Sequence, residues 1–123
     1  MGKKILIVDN DQNYGVLIAA LIRRMGYATL EATSGEGAID TALAEEPDLV
    51  VTNAELPHMN GIELTLRLKR SPKTSSAPVI VYSGVADHKD AALKAGASLF
   101  LTKPLSFFED LKNAIEDVLK TRP

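Results

Sequence analysis

Asp9, Asn10 and Asp11 stand directly behind the apolar run Ile5–Val8, and Asn53 and Glu55 stand close behind Leu49–Val51. Ser83 ends the run that begins at Val79, and Lys103-Pro104 follows Leu99–Leu101 by one residue. Acids grouped in this way suit two kinds of chemistry. Carboxylate oxygens hold hard cations such as Mg²⁺, and an ionised carboxylate can itself attack phosphorus. Other chemistries lack their residues. The chain has no cysteine, which removes disulfides, thiolate catalysis and thiolate metal sites. Its two histidines, His58 and His88, read as surface residues in a loop and at a helix start, too few for a histidine-rich metal site.

The elements that must position these residues fit one domain spanning 1–123. A length of 123 residues suits a single core, 46% apolar residues can fill it, and 24% charged residues cover it. A net charge of −2 gives no general attraction to nucleic acid or to an anionic membrane. No apolar run approaches the roughly 20 residues that span a bilayer, and the start MGKKILIVDN is too short in apolar residues for a signal peptide. A soluble cytoplasmic protein is the expectation, with no output domain following the last helix.

Apolar and amphipathic stretches alternate five times. Ile5–Val8, Leu49–Val51, Val79–Tyr82 and Leu99–Leu101 are apolar on both faces, as strands of a covered parallel sheet are. Ala28–Ala32 carries Glu31 and suits an edge strand. Tyr14, Leu17, Ile18, Leu21, Ile22 and Met25 form one helical stripe, closed by Gly26. Thr33 with Glu36 reads as a capping box for a second helix that turns Ile39, Ala42 and Leu43 inward. Asn60 caps a third helix, although Ile62, Leu64, Leu66 and Leu68 alternate as a strand would; the wealth of Leu, Glu, Arg and Lys decides for helix. A fourth helix covers about Asp87–Ala95. A fifth opens with the box Ser106 to Glu109 and buries Phe108, Leu111, Ile115 and Val118. Five right-handed βα units make an open parallel sheet covered on both faces, with its site at the carboxyl ends of the strands. The polar residues named above all lie there.

The segments ILIVDND, PDLVVTNAELPHMNGIEL, PVIVYSG and LFLTKPL, in this order and spacing, resemble the receiver domain of bacterial response regulators over essentially the whole chain. The resemblance implies a flavodoxin-like (βα)₅ fold with strand order 2-1-3-4-5. It also implies a pocket in which two acids after the first strand help bind Mg²⁺ and an aspartate ending the third strand takes a phosphoryl group. Asp9 and Asn10 match the acid pair, and Asn53 matches the acceptor. Ser83 and Lys103 match the residues that engage the phosphate, with Lys103-Pro104 a cis bond, and Phe100 matches an aromatic that reports activation. The family's partners, a histidine kinase or a downstream signalling protein, would meet the face formed by the fourth helix, fifth strand and fifth helix, as would a second copy in a homodimer.

Two positions depart from the pattern, Asn10 and Asn53. A carboxamide is a poor nucleophile towards phosphorus, so Asn53 is expected to be inert. The metal positions Asp9, Asn10 and Asn53 retain one carboxylate, so Mg²⁺ is expected to bind weakly. Asp9 against Lys103 leaves the pocket neutral, or singly negative if Glu55 turns inward, and Lys103 is expected to pair with Asp9. The reading is therefore a pseudo-receiver acting by phosphorylation-independent protein–protein interaction in two-component (phosphorelay) signalling, and not an enzyme. One alternative is an ordinary receiver whose acceptor aspartate was mutated to asparagine. A remote one takes Asp9-Asn-Asp11 as the opening of an aspartate-nucleophile phosphatase of the haloacid dehalogenase type, with Asp11 as acid/base. Asp11 otherwise reads as a helix N-cap.

Overall fold

The computed structural model describes residues 2–103 and 107–120. Five strands, β1 (Lys4–Val8), β2 (Ala28–Ala32), β3 (Leu49–Asn53), β4 (Val79–Ser83) and β5 (Leu99–Thr102), pair in parallel in the order β2-β1-β3-β4-β5. Between them run α1 (Gln12–Arg24), α2 (Gly35–Glu45), α3 (Gly61–Arg70) and α4 (Lys89–Ala95), and α5 (Phe107–Lys120) follows β5. This is the flavodoxin-like (βα)₅ arrangement expected from the sequence.

Alternation along the central strands divides the core between the two faces. Ile5, Ile7, Leu49, Val51, Ile80 and Tyr82 pack with Ile18 and Ile22 of α1 and with Leu111 and Ile115 of α5. Leu6, Val8, Val50, Val79 and Val81 pack on the other side with Ala38 and Ala42 of α2, Leu64 and Leu68 of α3, and Ala92 of α4. Each side chain at a strand end therefore inherits a face from the residue two before it.

The helix ends follow local chemistry. Asp11 caps α1, its carboxylate accepting from the Asn13 and Tyr14 N–H groups. Gly26 closes the helix at φ +99°, where its N–H donates to the Arg23 carbonyl and the Tyr27 N–H reaches the Ile22 carbonyl. Asn60 caps α3 through the Glu63 N–H at 2.8 Å. The capping box at Thr33 does not form. Ser34 caps α2 instead, its hydroxyl accepting from the Gly37 N–H at 3.0 Å, because a hydroxyl at that position reaches the free donor three residues on.

Some helix faces also differ from the expectation. Leu17 is 55% exposed and Leu43 36%, both turned from the core. On α5 the buried aromatic is Phe107, while Phe108 is 38% exposed. Phe107, Leu111, Ile115 and Leu119 recur every four residues and make the inner row, so the row starts one residue earlier than the pattern from Phe108 implied. The fourth helix begins as a 3₁₀ turn, Ala86–His88, before α4 proper. Ser106, its capping box, and the peptide bond into Pro104 lie outside the described residues.

Candidate functional site

The carboxyl ends of β1, β3, β4 and β5 bring Asp9, Asn53, Ser83 and Lys103 to one end of the sheet. β1 and β3 are neighbours with Val8 opposite Thr52, so Asp9 and Asn53 continue adjacent strands. Asn53 pairs with Tyr82 across β3 and β4, and Ser83 with Thr102 across β4 and β5.

Asp9 is 3% exposed, and each of its carboxylate oxygens accepts one hydrogen bond. The Tyr82 hydroxyl donates to Oδ2 at 2.5 Å, and the Asp11 N–H donates to Oδ1 at 2.9 Å. Tyr82 itself is fully buried. Burial raises the pKa of its phenol far above the ordinary 10.0, and the hydrogen bond to Asp9 raises it further. The neighbouring Tyr14 is raised too, by burial and then by the Asp9 charge.

A raised phenol pKa means that the folded protein keeps a proton which the unfolded chain loses above pH 10.0. The stabilisation is full below that pH and is lost as pH rises past it. In an alkaline titration followed by tyrosinate absorbance and circular dichroism, one tyrosine is expected to ionise only as the fold opens. That step is absent from Tyr82→Phe. Ionisation of Tyr82 near its ordinary value with the fold intact would contradict the assignment.

Lys103 does not pair with Asp9. Its ammonium stands 4.4 Å from the Tyr14 ring centroid and 5.4 Å from that of Tyr82. The two rings offer a cation a negative face, while the Tyr82 hydroxyl already bonds one oxygen of the Asp9 carboxylate. The Lys103 backbone N–H donates to the Ser83 carbonyl at 3.0 Å, which fixes the base of its loop.

Asn53 is 6% exposed and uses both halves of its carboxamide on one neighbour. Its oxygen accepts from the Glu55 N–H at 3.2 Å, and its NH₂ group donates to the Glu55 carbonyl at 3.3 Å. A carboxylate has no donor for the second bond. Gly61 presses against this turn from the start of α3, its N–H donating to the Ala54 carbonyl at 2.9 Å.

Glu55 stays exposed, but its carboxylate reaches across to the end of β4. The Ser83 hydroxyl donates to Glu55 Oε2, and His88 Nε2 lies 3.3 Å from the same oxygen. Asn10 is exposed and shares a cavity of about 460 Å³ with Glu55, Pro57, Asn60 and His88. Phe100 is half-buried against the core side that carries α2, α3 and α4. His58 lies exposed in the loop before α3, as expected, at φ +66°. Among the described residues no three His, Cys, Asp or Glu side chains come close enough to hold a metal ion.

Three participants escaped the sequence reading: Tyr82, Tyr14 and His88. For Tyr82 a signal existed. Asp9 continues the Ile5–Ile7 alternation and Tyr82 that of Ile80, which places both on one face, and a buried phenol needs a partner.

The response regulator receiver domain model matches residues 5–116. The chain belongs to the response regulator receiver family. Its place is accordingly in two-component signalling. Among curated relatives of this receiver, the phosphate regulon transcriptional regulatory protein PhoB of Pseudomonas aeruginosa is 38% identical over 86% of the chain, which covers 47% of that protein. The polar-differentiation response regulator DivK of Brucella ovis is 30% identical, with 95% of the chain and 99% of DivK covered. The chain thus spans about half the length of PhoB and nearly all of DivK. A solved two-component response regulator of the LuxR family from Aurantimonas sp. SI85-9A1 superposes with a TM-score of 0.89 at 30% identity, covering 99% of this chain and 88% of that one. Among the described residues no helix of the receiver is long and apolar enough to cross a membrane.

Proposed function

We propose that this receiver takes no phosphoryl group and acts by binding a protein partner. The observation that carries the reading is Asn53. A neutral carboxamide occupies the acceptor position, and both of its polar atoms are bonded to the Glu55 backbone. It has neither the anionic oxygen that attacks phosphorus nor a free rotamer to offer.

The metal positions support the same reading. Mg²⁺ asks for one or two carboxylates with waters in octahedral geometry. Asp9 is the one carboxylate among the three positions, and Tyr82 and the Asp11 N–H hold its two oxygens. Asn10 and Asn53 contribute neutral amides. These residues fit Mg²⁺ poorly, and it is held weakly at most. Nor is the receiver an enzyme in this reading, because the Asp11 carboxylate caps α1 and leaves Asp9 without a second acid.

The partner, a histidine kinase or a downstream signalling protein, meets the α4–β5–α5 face, where Leu93 on α4 is 41% exposed and Val85 just before it 46%. A second copy could use the same surface. The test is exposure to a phosphoryl donor: with acetyl phosphate and Mg²⁺ the mass of the chain stays unchanged. Formation of an acyl phosphate would overturn the proposal.

A further inference from the structure

Glu55 sits two residues beyond the inert Asn53, and its carboxylate gathers groups from a different part of the fold. Ser83, fully buried at the end of β4, donates its hydroxyl to Glu55 Oε2. The same hydroxyl accepts the Val85 N–H at 2.9 Å. His88, on the 3₁₀ turn that leads into α4, brings Nε2 to 3.3 Å from that carboxylate oxygen. The chain of contacts therefore runs from the β3–α3 loop through Ser83 to Val85, and from Glu55 directly to the turn before α4.

We propose that the Glu55 carboxylate is a built-in anionic ligand for Ser83, one that holds the β4–α4 loop closed without any added phosphate. The proposal rests on the phosphate-free reading of the site and gives it a mechanism. In the resemblance drawn from the sequence, Ser83 matches the hydroxyl that engages a phosphate. Here an internal carboxylate already takes its proton-donating side. A hydroxyl donating to an ionised oxygen makes a stronger bond than one between neutral groups, and Ser83 is shielded from water. Of the two partners of this half-exposed carboxylate, Ser83 is fully buried and the His88 side chain is 41% exposed, so the His88 contact adds less. The loop is thus tied mainly at Ser83, and the face that begins at α4 is presented in one arrangement.

Amide hydrogen exchange of the full chain tests this at the Val85 N–H. Glu55→Ala removes the carboxylate but leaves the backbone groups that hold Asn53, so the acceptor turn serves as an internal control. Exchange at Val85 is expected to rise about tenfold, because Ser83 loses its hydrogen bond to a charged group and with it the fixed rotamer that accepts the Val85 N–H. His88→Ala is expected to raise it by about twofold or less. An unchanged Val85 exchange rate in Glu55→Ala overturns the proposal, as does an increase in His88→Ala that equals the one in Glu55→Ala. Acetyl phosphate treatment of the same protein reads the phosphate-free function separately, since a gain of phosphoryl mass sinks that reading whatever Val85 does.

Discussion

Replacing Gly61 by Ala is expected to destabilise the domain by about 3 kcal/mol or more, an unusually large effect for one added methyl group. A Cβ at this position would meet the Asn53 carbonyl oxygen at 2.2 Å and the Ala54 Cα at 2.9 Å. Both are backbone atoms of the turn that ends β3, so no side chain can swing aside. The Gly61 N–H is also bonded to the Ala54 carbonyl, which holds the two segments at that separation. Gly61 is the first residue of α3, where helix propensity favours alanine by less than the roughly 1 kcal/mol of a helix interior, so the clash outweighs only a small gain of the opposite sign. Urea unfolding gives the measurement through its midpoint. Gly84→Ala is the control, because a Cβ there meets nothing within 4 Å, and it is expected to cost under about 1 kcal/mol. Equal midpoints for the two variants would mean that α3 does not bear on the acceptor turn.

The second large effect concerns Asn53 itself. Asn53→Asp is expected to lower stability by about 2 kcal/mol at neutral pH. The substitution loses the donor that meets the Glu55 carbonyl, and it leaves a carboxylate oxygen facing that carbonyl in a site 6% exposed. It also places a second buried carboxylate at the end of the strand beside Asp9. Acid should relieve part of the loss, since protonating the new carboxylate restores a donor. Denaturation at neutral and mildly acidic pH, compared with the unsubstituted chain, separates these contributions. A variant as stable as the parent at neutral pH would mean that the carboxamide is not held as described.

Much of the architecture is legible in the residues because it depends on local periodicity. The two-faced apolar runs fix the inner strands, and Asp11, Gly26 and Asn60 mark helix ends by the bonds their own side chains or φ angles make. Periodicity does not decide where two neighbouring residues compete for one role. Thr33 and Ser34 are both hydroxyl caps, and only the three-dimensional reach to the Gly37 N–H decides for Ser34. Phe107 and Phe108 are equally apolar, and the spacing to Leu119 selects the first.

The candidate site was legible as a set of positions but less so as a set of bonds. Strand-end logic brings Asp9, Asn53, Ser83 and Lys103 together. Which partner each takes depends on distances between segments far apart in sequence. Asp9 and Tyr82 are 73 residues apart, so a tyrosine within an apolar run read as core alone. That pairing also explains Lys103: with Tyr82 on the carboxylate, the ammonium settles over the rings.

Whether Asn53 is unable to accept a phosphoryl group is tested most directly by intact mass after incubation with acetyl phosphate and Mg²⁺. The chain would be run beside Asn53→Asp and the double variant Asn10→Asp/Asn53→Asp. The expected result is no mass gain for the unsubstituted chain, with a phosphoryl adduct appearing only where carboxylates have been restored. A phosphoryl adduct on the unsubstituted chain would contradict the account.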